Sequence, residues 1–229
     1  MTPRVDGAAG GPWPLRAVAS PPRQCNTESV DSPADSKIWA DYNAAQATRG
    51  VRTLCLNAMA FAGPGNGRRA IDLGCGAGKE TLALLDGGWR VLAVDSQPDT
   101  RDQLLATVPA ALAEQLDVEL SPFEDLPPLP EAGLILASYS LPFVHPENCT
   151  RLWRMLLEAL GPSGVIAVNL FGERDSWAAI PEWNFHTEAQ ARALFEGLDI
   201  LTFETYDADG QSFRGPKHWH IFDVVARKP

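Results

Sequence analysis

The chain predicts an α/β fold, a mostly parallel seven-stranded sheet with helices on both faces that ends in an antiparallel hairpin. Three observations carry this expectation. The apolar run Ala70-Ile71-Asp72-Leu73 gives way to glycines at alternate positions, Gly74, Gly76 and Gly78, and then to helical spacing in Thr81, Leu82, Leu84 and Leu85, which reads as strand, glycine loop and helix. A second strand, Trp89 to Asp95, ends in an acid at the spacing of about 20 residues that nucleoside-binding βαβ units use. Beyond it, strand-like and helix-like segments alternate up to a final pair of strands, as layered α/β folds require.

Taken in order, residues 1–35 are rich in Pro, Gly, Ala and Ser without apolar periodicity. Such a segment cannot repay its ordering entropy, so a disordered tail is expected there and a single domain over 36–229. Ser36 is placed to cap a helix through Lys37 to Asn43, on which Trp39 and Tyr42 share a face. Those two aromatics either pack in the core or close over a ligand. A second helix is expected from Arg52 to Phe61. After the Asp95 strand, Pro98 to Ala106 and Pro109 to Gln115 read as helices and Asp117 to Leu120 as a third strand. Gly133 to Tyr139 reads as a buried fourth strand. Pro146 to Leu160 carries Leu152, Met155, Leu156 and Leu160 at helical spacing and stops near Gly161 and Pro162. Val165 to Leu170 is the fifth strand, Thr187 caps a helix through Phe195, and Ile200 to Tyr206 with His218 to Arg227 form the closing antiparallel pair. No internal repeat or second domain is visible.

Composition narrows the function. The formal net charge of −10 over 229 residues argues against a phosphate-backbone partner such as DNA or RNA, whose affinity is mostly electrostatic, and favours a small molecule. No run of about 18 apolar residues predicts a membrane span. Pro12, Pro14, Arg16, Pro21 and Pro22 interrupt any apolar signal core, so a cytoplasmic protein is expected. Cys25, Cys55, Cys75 and Cys149 have no close pair at metal-ligand spacing, which gives neither a disulfide framework nor a zinc site.

The glycine loop then selects a cofactor. Alternate glycines let a ligand approach the main chain, and the N–H groups of the following helix start suit a polar group. A dinucleotide loop places its third glycine where Lys79 stands here. The first strand also carries Asp72, which would repel a pyrophosphate and welcome the α-amino group of a bound amino acid. S-adenosylmethionine fits better than NAD. On these residues the chain resembles the class I S-adenosylmethionine-dependent methyltransferases, with their Rossmann-like fold. Through Ala137 to Phe143, Phe171 to Trp177 and Lys217 to Phe222 it resembles the bacterial subgroup that includes tellurite-resistance methyltransferases, over about residues 36–228.

The resemblance implies a methyltransferase acting on a small molecule, with the acceptor atom (O, N, S or a metalloid oxyanion) left open. Asp72, Gly74, Gly76 and Gly78, with Cys75 in the same loop, would hold the methionine part. Asp95, with Ser96 beside it, would take the ribose hydroxyls. The family's common adenine-side acid aligns near Pro122, so Phe123 or Glu124 would serve there, and Ser138 and Tyr139 would lie near the sulfonium. No catalytic residue is assigned, because in-line transfer of an activated methyl asks chiefly for positioning, with a general base only if the acceptor must lose a proton. Candidates for the acceptor side are Tyr139, His145, Glu173, Asp175, His218 and His220. His218 and His220 share one strand face with Trp219 opposite, a pattern equally at home in a half-buried strand. Glu173, Arg174 and Asp175 form either a pocket rim or a structural ion-pair knot, and Trp177, Trp183 and Phe143 either line the pocket or pack in the core. The two histidines lack a clear third ligand, although His145, His186, Glu173 or Asp175 could converge on them, and no metal centre is expected. A monomer or homodimer is expected. Two rivals share the pocket: an enzyme using it for a reaction other than methyl transfer, and a non-catalytic S-adenosyl-binding protein.

Overall fold

The computed structural model describes residues 39, 42, 43, 46, 49–212 and 214–229. The expected tail over 1–35 and the start of the helix capped by Ser36 lie outside the described residues. Helix α1 (Thr53–Ala62) leads into β1 (Arg69–Leu73), α2 (Lys79–Asp86), β2 (Arg90–Asp95), α3 (Thr100–Thr107) and β3 (Leu116–Leu120). Then come β4 (Ala132–Ala137), α4 (Pro146–Ala159), β5 (Leu160–Gly172), β6 (Phe185–His186), α5 (Glu188–Ala193), β7 (Asp199–Ser212) and β8 (Gly215–Arg227). The strands lie in the order β3-β2-β1-β4-β5-β8-β7, with β6 pairing β5. Pairing is parallel from β3 to β5, and antiparallel for β5 with β8 and β8 with β7. The sheet therefore has the expected mixed architecture.

Strand alternation sends side chains to two cores. Ile71, Leu73, Ile135, Ala137, Ile166 and Val168 face Leu152, Trp153 and Leu156 of α4. Ala70, Leu134, Leu136, Val165 and Ala167 face Leu54, Cys55 and Ala58 of α1 and Leu84 and Leu85 of α2. Helices thus cover both faces, which is why the central strands read as nearly continuous apolar runs. Chain order reverses between β1 and β4, and the crevice beyond the carboxyl ends of those two strands is where open α/β sheets bind ligands.

Several expectations need correction. The sheet has eight strands rather than seven, because the two-residue β6 hydrogen-bonds beside Phe171 and Gly172, too short a segment to leave a period in the sequence. Residues 109–115 form successive three-residue turns, with Leu112 N–H donating to the Pro109 carbonyl at 2.8 Å and Gln115 N–H to that of Leu112 at 2.9 Å, and only Ala113–Gln115 is helical, as a 3₁₀ turn. In this Ala-rich stretch only Leu112 packs on the core, and a single apolar contact is too little to draw it into an α-helix. The fourth strand stops at Ala137 because Tyr139 turns to a φ of +54°. Helix α5 ends at Ala193, two residues before Phe195, although Thr187 caps it in a full capping box with Gln190. The closing hairpin runs six residues further along β7 than expected and three residues earlier along β8. Its polar tip carries no alternation to read, and pairing there simply propagates along the backbone.

Candidate active site

At the switch point lies a cavity of about 430 Å³. The glycine loop forms its floor. Gly74 and Gly76 adopt φ of +76° and +50°, and a side chain at either would strike a neighbour: a Cβ on Gly74 would come within 2.5 Å of Ser140 Cβ, and one on Gly76 within 2.8 Å of Asn43 Oδ1. Gly74 and Cys75 N–H both donate to the Val94 carbonyl, at 2.8 and 3.0 Å, which ties the loop to β2. The Asp95 carboxylate accepts from Gly76 N–H at 2.8 Å and from Gln97 N–H at 3.0 Å, so the acid ending β2 fixes the loop after β1.

Two further acids stand at the floor. Asp72 is buried and accepts a 2.6 Å hydrogen bond from Thr81 Oγ1. Burial, more than the opposing hydroxyl, pushes its carboxyl up to about 7. Glu80 is buried as well. Burial works against its charge, yet two 2.6 Å bonds from the Arg49 guanidinium and one of 3.0 Å from Arg52 N–H outweigh it and hold the carboxyl below its ordinary range.

The wall beside the glycine loop comes from the segment that follows β4 and from its neighbours. Asn169 Oδ1 on β5 accepts from Tyr139 N–H at 2.9 Å and from Ser138 Oγ at 3.2 Å. These bonds hold Tyr139 in the left-handed region, a strained state for a bulky residue that persists only where surroundings over-determine it. The Arg52 guanidinium lies over the Tyr139 ring at 4.3 Å and donates to Tyr42 Oη at 3.1 Å. Ser140 Oγ is buried in this wall without a hydrogen-bond partner among the described residues. The far end is aromatic: Trp39 packs on Phe143 with centroids 4.8 Å apart, and Phe143 on Trp183 at 4.9 Å.

The structure brings Asp72, Gly74, Cys75, Gly76, Asp95, Ser96, Phe123, Glu124, Ser138 and Tyr139 to this one cavity, together with His145. Gly78 lies just behind it as the residue preceding α2. Glu173, Asp175, His218 and His220 do not line it. Asp175 is buried against Lys217 Nζ at 2.5 Å and accepts from Trp177 N–H at 2.9 Å and His220 N–H at 3.2 Å. His220 is buried and accepts from Arg174 N–H at 3.1 Å, while His218 bridges Asp207 and Asp209 at 2.7 and 2.8 Å. Among the described residues no group of three metal-ligating side chains converges. Sequence reading missed Arg49, Arg52, Glu80, Ser140 and Arg214, all of which line the cavity. No local signal sets them apart: Glu80 stands in the first turn of α2, where an acid is ordinary.

Comparisons with known proteins agree with this geometry. Residues 70–164 match the family described as a methyltransferase domain. The chain is 28% identical over 135 residues to carboxy-S-adenosyl-L-methionine synthase of Yersinia enterocolitica, covering 56% of this chain and 50% of that protein. It therefore spans about half the length of the curated relatives it matches. TehB from Haemophilus influenzae superposes with a TM-score of 0.68 at 16% identity, over 83% of this chain and 67% of that one. The Burkholderia thailandensis 1,6-didemethyltoxoflavin-N1-methyltransferase, solved with its substrate and S-adenosylhomocysteine, superposes with a TM-score of 0.61 at 16% identity, over 88% and 92%. Residues 70–164 are thus similar to a methyltransferase domain, and the chain shares the fold of these solved structures.

Proposed function

We propose that this protein transfers the methyl group of S-adenosylmethionine to a small-molecule acceptor. The observation that carries the reading is the convergence of the glycine loop, Asp72, Asp95 and the strained Tyr139 on a single cavity at the sheet's switch point. The residues fit the cofactor: Gly74, Cys75 and Gly76 line the cavity with main chain and one small side chain, and Ser140 Oγ is a buried polar atom without a hydrogen-bond partner among the described residues. Asp72 would hold the methionine ammonium, Asp95 the ribose hydroxyls, and Phe123 with Glu124 the adenine side. Bound there, the cofactor supplies an electrophilic methyl on a sulfonium. The chain's own part is to orient: Asn169 fixes Ser138 and Tyr139, and Asp95 fixes the loop, so that the acceptor meets the methyl in line. Residues 36–229 form the catalytic domain in this reading. Net charge of −10 supports an acceptor that is not nucleic acid, and the protein works in the cytoplasm as a monomer or homodimer. Among the described residues no helix is long and apolar enough to cross a membrane.

Calorimetric titration with S-adenosylmethionine and S-adenosylhomocysteine tests this. Both should bind with micromolar affinity and NAD should not. Gly76→Val, whose new side chain meets Asn43, and Asp95→Ala, which frees the loop amides, should each weaken S-adenosylhomocysteine on the order of 100-fold while far-ultraviolet circular dichroism stays unchanged. Unchanged affinity in both variants would place the cofactor elsewhere and end the proposal.

A further inference from the structure

The cavity is chemically divided, and the division bears on which acceptor it takes. Its floor is polar, with the acids Asp72, Glu80 and Asp95, whereas another part of its lining is formed by Trp39, Phe143, Trp183 and Ile180, with the Arg214 guanidinium 5.7 Å from the Trp183 ring centroid. Phe143 packs edge to face on both tryptophans, at interplanar angles of 75° and 87°. Three rings in that arrangement lock one another and leave a stiff apolar corner facing the cavity. Phe143 is further held against Phe171 at 5.6 Å, and Trp183 against Trp177 at 5.2 Å. The corner is thus continuous with an aromatic cluster built around the buried Phe171.

Charge points the same way. Five carboxylates line the cavity, those of Asp72, Glu80, Asp95, Glu124 and Glu182, against the guanidiniums of Arg49, Arg52 and Arg214, and Arg49 is already committed to Glu80. A small oxyanion entering this space would surrender its hydration for aromatic carbon and an acidic surround, a double cost. A flat, uncharged ring would bury apolar area on the aromatic corner and bring no charge of its own to be desolvated.

We propose that the acceptor is an uncharged planar aromatic or heteroaromatic small molecule, stacked in the Trp39, Phe143 and Trp183 corner, and not a metalloid oxyanion. This rests on the methyltransferase reading, and the test separates the two. Protein saturated with S-adenosylhomocysteine is titrated with a panel of uncharged one- and two-ring compounds (indole, quinoline, 1-naphthol), with the saturated-ring counterpart of each, and with selenite and tellurite. Ring compounds should bind at least tenfold more tightly than their saturated counterparts, with no binding of either oxyanion. Trp183→Ala should weaken the best ring compound at least tenfold, and Trp183→Phe should restore most of the loss, with S-adenosylhomocysteine affinity within twofold in both. If S-adenosylhomocysteine fails to bind the unmodified protein, the methyltransferase reading falls and this inference with it. If it binds, but no ring compound does, or saturated rings bind equally well, or an oxyanion binds more tightly, only the acceptor assignment is overturned. Equal weakening of the ring compound in Trp183→Phe and Trp183→Ala would also overturn it, since stacking would then play no part.

Discussion

The Arg49–Glu80 and Lys217–Asp175 pairs each hold a buried carboxylate, at 2.6 and 2.5 Å, but the Arg49 side chain is 24% exposed where that of Lys217 is 3%, and the two belong to different parts of the molecule. The first lines the cavity, its carboxylate further tied to the backbone that starts α1. The second is sealed behind the aromatic wall, where Lys217 Nζ lies 3.4 Å from the Trp177 ring centroid and 3.8 Å from that of Trp219. Burial lowers the Lys217 ammonium's pKa even though Asp175 pulls it back. The charged run Glu173-Arg174-Asp175 reads from sequence as the more functional of the two regions, and it is the one that stands outside the cavity. Charge density after a strand marks a place where side chains must be paired, and only the packing around it says whether the pairing faces a ligand or a core.

Breaking the second pair should give the largest effect. Asp175→Ala leaves the Lys217 charge buried and unpaired, at a cost of about 3–5 kcal/mol, or a fall in Tm of roughly 10 °C. S-adenosylhomocysteine affinity of the folded fraction should stay within twofold, and a tenfold loss would bring this cluster into the site after all. Arg49→Ala should cost less stability, about 2 kcal/mol, because Glu80 keeps the Arg52 amide. It should also weaken S-adenosylhomocysteine roughly tenfold, and adding Glu80→Gln should recover part of both losses by removing the stranded charge. Should affinity not change, the two pairs are equally structural and the contrast between them disappears.

A pH series sharpens the comparison without touching either pair. The folded pKa of Asp72, about 7, lies above the ordinary 3.8. Its contribution to stability is therefore complete below about pH 3.8 and is lost as pH rises through about 7. Denaturant titrations of the ligand-free protein should show its stability relative to Asp72→Asn declining from pH 5 to pH 8, and a flat difference would refute the assignment. Affinity for the cofactor's ammonium should rise over the same range, with proton release detectable by calorimetry in two buffers. The smallest effect is expected at His218, whose contacts with Asp207 and Asp209 are at the surface. His218→Ala should shift Tm by no more than about 1 °C and leave S-adenosylhomocysteine affinity as it was.

Much was legible because it is local. Short, nearly continuous apolar runs mark β1, β2, β4 and β5, alternate glycines mark a loop with positive φ, and an acid at the end of β2 falls at the spacing that brings it to that loop. Thr187 and Gln190 declare their own helix start within four residues. These features depend on neighbours a few positions apart, so the chain alone determined the fold class, the glycine loop and two of the acids, Asp72 and Asp95, that line the cavity with it. What the tertiary structure decided involves partners far apart in sequence. Arg49 and Glu80 are 31 residues apart, Tyr139 and Asn169 are 30, and Asp175 and Lys217 are 42. Whether a charge at such a position faces solvent, a ligand or another charge is settled only when strands from distant parts of the chain share a sheet, because burial and Coulomb energy depend on the finished surroundings.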